Sequence, residues 1–156
     1  MNHQLLLSLV EKYGSPLYVY DSEIISNQYK RLTKAFKKVK KVKINYAVKA
    51  LSNVNILKLF KTYGAGLDTV SKQEVLLGLH AGFNPKDIIY TPNGVSLKEI
   101  EDVAQMGVQI NIDNLSILEQ FGHHYPNIPV CIRINPHILA GGNHKISVGH
   151  IDSKFG

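Results

Sequence analysis

The feature that most constrains this chain is a rhythm. Short β-branched runs at residues 43–48, 66–70, 88–91, 108–112 and 130–134 begin roughly 22 residues apart. That interval is about the length of one compact strand–loop–helix–loop unit. The segments between them carry helix punctuation. Ser71 with Glu74 and Ser96 with Glu99 have the form of capping boxes, and Asn53 and Asp113 are candidate caps for two further helices. Gly64, Gly82 and Gly107 stand where helices should stop in the left-handed conformation. The pattern is a series of βα steps, and therefore a mainly parallel sheet.

Two architectures fit five such steps: a complete doubly wound sheet, or part of an eight-fold βα barrel, which needs about 250 residues. The chain has 156 residues. Its last residues, Ser153-Lys154-Phe155-Gly156, read as the opening of a sixth unit, since no helix has yet covered the fifth strand. The expected fold is thus α/β, a partial TIM-type barrel with about five of eight units, truncated before the sixth strand. Ahead of the first unit, residues 16–20 read as an extra strand. Residues 22–39 read as an amphipathic helix with Ile25, Tyr29, Leu32 and Phe36 on one stripe. Residues 135–152, rich in Gly, His and Asn, lack either period and are expected to act as a lid or binding loop.

In a parallel barrel the C-terminal ends of the strands share the mouth where chemistry is done. The polar residues there are Lys49, Asp68, Asn93, Asp113 and Arg133, with Asn135 and His137 just beyond. An ammonium at the end of an apolar strand is expected to be partly desolvated, and a neutral lysine amine attacks aldehydes. A rim lysine with its head in water is the plainer reading of Lys49. Asp68 could pair with a cation at the same rim or cap the next helix. Arg133, inside an apolar run, needs an anion, whether a ligand or an internal carboxylate.

Composition removes other classes. The apolar stretch from Leu5 to Val10 is too short to span a bilayer, and it has neither the basic flank nor the cleavage site of a signal peptide. No membrane partner is expected. One cysteine, Cys131, excludes an internal disulfide framework and fits a cytoplasmic setting. The seven histidines fall at irregular spacing without a helical His-x-x-x-His pair, so no metal site is expected. The net charge of +6 is concentrated between Lys30 and Lys43. Basic residues so spaced usually form a solvated helix face, and no nucleic acid partner is expected.

The exact strings add a resemblance. Tyr46-Ala47-Val48-Lys49-Ala50, then Gly66-Leu67-Asp68-Thr69-Val70-Ser71, Arg133-Ile134-Asn135-Pro136-His137, Gly141-Gly142-Asn143-His144-Lys145-Ile146-Ser147 and the run from Gly149 to Gly156 resemble the diaminopimelate decarboxylase family. The first string is shared with the wider group of pyridoxal-phosphate decarboxylases acting on ornithine, arginine and carboxynorspermidine. The resemblance implies an alanine-racemase-like barrel over residues 22–156 and a separate β domain to which residues 1–21 contribute. It also implies pyridoxal 5'-phosphate as cofactor, a small amino-acid substrate and a homodimer. Carried over residue by residue, Lys49 would hold the cofactor covalently, Asp68 would lie beside it and Arg133 would stand near its ring. His137, Asn143, Ile146 and Ser147 would belong to the substrate loop. One departure is Leu51, where the family commonly has asparagine.

The implied activity is conversion of meso-diaminopimelate to L-lysine and carbon dioxide. The alternatives are another decarboxylase of the group, or a non-catalytic pyridoxal-phosphate-binding or flavodoxin-like module. The family's ring-stacking histidine, glycine-rich phosphate site and pyridine-nitrogen glutamate lie outside these residues. The isolated chain is therefore expected to be poorly soluble and inactive.

Overall fold

A computed structural model describes residues 2–138, 148–149 and 153–156. The chain divides into two units, Met1–Val42 and Lys43–Gly156. The first holds two helices. α1 (His3–Tyr13) is capped by Asn2, whose side chain accepts from the Leu5 N–H. It was not anticipated, because its apolar run is contiguous rather than periodic. α2 (Ser22–Ala35) is capped by Asp21 and stops short of the expected residue 39. Residues 17–20 carry no regular secondary structure, and the sheet includes no strand from this segment.

The second unit alternates β1 (Asn45–Ala47), α3 (Val54–Thr62), β2 (Gly66–Thr69), α4 (Lys72–His80), β3 (Ile88–Tyr90), α5 (Leu97–Ala104), β4 (Gln109–Ile112), α6 (Leu115–His124) and β5 (Val130–Ile132). All neighbouring strands pair in parallel and in sequence order, β1-β2-β3-β4-β5. Sequence order decides between the two architectures. A doubly wound sheet reverses direction at a switch point, as in the order 2-1-3-4-5, whereas a barrel adds each strand beside the last.

The inner strands β2, β3 and β4 alternate between two environments. Leu67, Thr69, Ile88, Tyr90, Ile110 and Ile112 are buried, and all but Thr69 form one hydrophobic core with Val75, Ile100, Val103 and Phe121 from the helices. Burying each large side chain is worth about 1.5–3 kcal/mol. Gly78 lets α4 lie close to the sheet, since a Cβ there would sit 2.6 Å from Leu67 Cδ1. The residues between the buried ones, Asp68, Ile89, Gln109 and Asn111, belong to the other face.

Both serine caps form as expected, with Ser71 accepting from the Glu74 N–H and Ser96 from the Glu99 N–H. The glutamates do something different from a simple capping box. Glu74 reaches the Val70 N–H at 2.9 Å. Glu99 accepts the Tyr90 hydroxyl at 2.7 Å and the Lys72 N–H at 3.2 Å, tying β3, α4 and α5 together. Burial first, then this hydrogen bond and the Glu99 charge, push the Tyr90 phenol far above its usual range. Asp113 is not a cap. Its neighbour Asn114 caps α6 by accepting from the Ile117 N–H.

Asp102 on α5 pairs with Lys72 and with Lys98, both at 2.8 Å. The hydrogen bond from Lys72 and then that from Lys98 lower its carboxyl from 3.8 to about 2. A depressed carboxyl stabilises the fold above its unfolded value, and that contribution is lost as pH falls through the folded value. Asp102→Asn should therefore be less stable than the parent at pH 7, and the gap should close between pH 3.8 and about 2. Denaturant unfolding at the two pH values checks this.

Candidate active site

The mouth is built by short departures from regular strand. β1 ends at Ala47, and Val48–Ala50 wind into a single 3-10 turn, closed by the Leu51 N–H donating to the Val48 carbonyl at 3.0 Å. The Tyr46 hydroxyl also donates to the Leu51 carbonyl at 3.2 Å. Val48 is fully buried and anchors the turn, so Lys49 projects outward and is exposed. Of the two readings, the exposed residue matches the plainer one, a rim lysine, and not a partly desolvated amine at the end of a continuous strand, because the strand stops two residues earlier.

Register places Ala47 opposite Asp68, so Asp68 lies on the strand adjacent to the one that delivers Lys49. Asp68 is half-buried, and its Oδ1 accepts the Thr91 hydroxyl at 3.0 Å. Thr91 Oγ1 in turn accepts from Asn111 Nδ2 at 3.0 Å. Asp68, Thr91 and Asn111 thus form a polar line across β2, the end of β3, and β4. Neither Thr91 nor Asn111 was assigned a role from the sequence. The available signal was the alternation in Gln109-Ile110-Asn111-Ile112, which marks one face of β4 as polar.

Asn93 and Asp113 form a second pair at the same end, with Asn93 Nδ2 donating to Asp113 Oδ2 at 2.9 Å and to the Lys154 carbonyl at 2.9 Å. They border a cavity of about 340 Å³ that Asn111 also lines. The Arg133 N–H continues the β4–β5 pairing by donating to the Ile112 carbonyl at 2.8 Å. Its guanidinium stacks on the Phe155 ring, 4.1 Å from the centroid. His137 lies beyond with positive φ of 53°, its N–H donating to Asn135 Oδ1. Arg133 and His137 line one cavity of about 560 Å³. Asn143, Ile146 and Ser147 lie outside the described residues. Among those described, no group of three or more His, Cys, Asp or Glu could hold a metal ion, and no helix is long and apolar enough to cross a membrane. His124 instead pairs with Glu101 at 2.7 Å.

Residues 22–156 match the family model described as pyridoxal-dependent decarboxylase, pyridoxal binding domain. The chain belongs to the pyridoxal-dependent decarboxylases. Curated relatives of this decarboxylase chain include diaminopimelate decarboxylase of Methanothermobacter thermautotrophicus, 36% identical over 152 residues, covering 96% of the chain and 36% of the relative. The Escherichia coli K12 enzyme of the same name is 34% identical over 155 residues, covering 97% and 36%. The crystal structure of diaminopimelate decarboxylase from Helicobacter pylori complexed with L-lysine superposes with a TM-score of 0.86 at 33% identity, covering 97% of this chain and 39% of that one. Lysine/ornithine decarboxylase from Vibrio vulnificus complexed with putrescine gives 0.74 at 27%, covering 83% and 35%. The chain spans about a third of the length of the relatives it matches.

Pyridoxal phosphate is the cofactor of this family, and the residues present fit it. An accessible primary amine at Lys49 suits an aldehyde. A carboxylate on the adjacent strand, oriented by a hydroxyl, suits a cationic group beside that amine. Arg133 provides a cation at the far end of the same row of strand ends.

Proposed function

We propose that the full-length protein carrying this chain decarboxylates meso-diaminopimelate to L-lysine, with Lys49 as its catalytic residue. One carbon–carbon bond breaks, carbon dioxide leaves, and a proton takes its place. The observation that carries this reading is that the relatives named diaminopimelate decarboxylase match over nearly the whole chain at 34–36% identity. They do so with an available amine at Lys49 on this side.

Pyridoxal phosphate, when bound, supplies the electron sink for the charge left behind as carbon dioxide departs. The chain's residues hold and orient. Lys49 would hold the cofactor through its amine. Asp68 sets negative charge beside that amine, and Arg133 bounds the cofactor on the β5 side. His137, Asn143, Ile146 and Ser147 shape the substrate end. Residues 1–21 join a second, β-rich domain, and the complete enzyme works as a cytoplasmic homodimer without nucleic acid or membrane partners.

Offering the full-length protein meso-diaminopimelate and ornithine in competition tests the substrate. L-Lysine should be the main product, and putrescine as the main product would reassign the enzyme to ornithine. Within the site, Asp68→Asn should lower kcat by about 10- to 100-fold through altered charge beside the reacting amine. Arg133→Met should chiefly weaken cofactor retention, by about tenfold for a lost charged contact. Steady-state kinetics and cofactor titration separate the two.

A further inference from the structure

We infer that Thr91 and Asn111 are positioning residues, forming a one-way hydrogen-bond relay that aims the Asp68 carboxylate at the cofactor site. The inference rests on the reading of Asp68 given above and deepens it. Two observations carry it: Asn111 Nδ2 lies 3.0 Å from Thr91 Oγ1, and Thr91 Oγ1 lies 3.0 Å from Asp68 Oδ1.

The direction of the relay follows from what each group can do. An ionised carboxylate only accepts, and a threonine hydroxyl has one proton to give. If Thr91 gives that proton to Asp68, the group facing its oxygen from the other side must donate, so Asn111 must present its NH₂. Gln109 Nε2 lies only 3.5 Å from Asn111 Oδ1 and closer, at 3.1 Å, to Cys131 Sγ, so it is the Thr91 contact that sets the orientation of the amide. The hydroxyl is then no longer a free rotor. Asn111 fills its lone-pair side and Asp68 takes its proton, so Oδ1 is tied to β3 and the orientation of the carboxylate is set. Asp68 and Asn111 sit on β2 and β4, and Thr91 directly follows β3 with its N–H donating to the Thr69 carbonyl at 2.8 Å, so the aim of Asp68 is built into the end of the sheet.

The relay is serial, which gives it a signature that a merely structural role lacks. Thr91→Val keeps the shape and removes the whole connection. Asn111→Leu frees the hydroxyl and should matter only while Thr91 is present. In the full-length enzyme, kcat should fall about tenfold in Thr91→Val and a few-fold in Asn111→Leu, with cofactor affinity by fluorescence titration nearly unchanged, as for Asp68→Asn. The Thr91→Val/Asn111→Leu double variant should be no worse than Thr91→Val alone, and Thr91→Ser, which restores the hydroxyl, should turn over as the parent does. Additive losses, a Thr91→Ser variant as slow as Thr91→Val, or unchanged kcat in Thr91→Val would each overturn the relay.

Crystal structures of the apo forms provide a test that needs no cofactor. Asp68 should keep its orientation in Thr91→Ser and lose it in Thr91→Val, and an unmoved carboxylate in Thr91→Val would also overturn the relay. If the parent protein binds no pyridoxal phosphate at all, the assignment of the site fails while these structures still decide the relay.

Discussion

Lys49→Ala in the full-length protein is expected to abolish turnover, lowering kcat by about a thousandfold or more, because the residue that carries the cofactor has no substitute nearby. The structure gives reasons to single out this lysine. Lys72 begins α4 just after β2, but its amine is committed to Asp102 at 2.8 Å. Lys98 shares the same carboxylate, and Lys43 pairs with Asp87. A rival is Lys154, which lines the cavity beside Asn93 and Asp113, with its amine 5.1 Å from the Phe155 ring centroid and its carbonyl accepting from Asn93. Among the described lysines, Lys49 stands nearest in sequence after a strand end, two residues beyond β1, in a turn anchored by the fully buried Val48. Its amine is accessible while its backbone is fixed. Steady-state assays of the variant, with circular dichroism to confirm folding, check the expectation.

The second large effect concerns the sheet beneath the site. Leu67→Ala is expected to destabilise the protein by about 2–5 kcal/mol, the usual cost of emptying a fully buried leucine position. Leu67 is 0% exposed, and its Cδ1 fills the space that a Cβ on Gly78 would enter. Gly78→Ala alone should also destabilise by overpacking, about 1–3 kcal/mol, less a gain of about 1 kcal/mol in helix propensity. Together the two changes exchange volume across one contact. The double variant should lose less than the sum of the single losses, measured by denaturant unfolding. Additivity would place Gly78 and Leu67 in independent environments.

Much of the fold was legible because its signals are local. The serine caps at Ser71 and Ser96 and the positive-φ glycines at Gly64, Gly82 and Gly107 formed as the sequence suggested. What was missed depends on partners distant in sequence. Asp113 looks as good a cap as Asn114, but Asn93, twenty residues earlier, engages its carboxylate. Glu99 looks like half of a capping box, yet Tyr90 and Lys72 claim its carboxylate from other elements. For the site, Lys49 and Asp68 were visible at strand ends, while Thr91 closes an apolar run and Asn111 lies within an alternating strand, so neither stood out as a site residue. Their significance comes from register: pairing Ile89 with Gln109 and Tyr90 with Ile110 sets the alternate residues in line across the strands. The exposed rim lysine was one of the two readings of Lys49, but the 3-10 turn that produces it leaves no mark in hydrophobic periodicity.

The central claim is that this chain holds pyridoxal phosphate through Lys49. Borohydride reduction of the full-length protein loaded with the cofactor, followed by proteolysis and mass spectrometry of the labelled peptide, tests it most directly. The account predicts one cofactor mass on Lys49. Stable label on Lys154 or on any other lysine, with Lys49 unmodified, would contradict it.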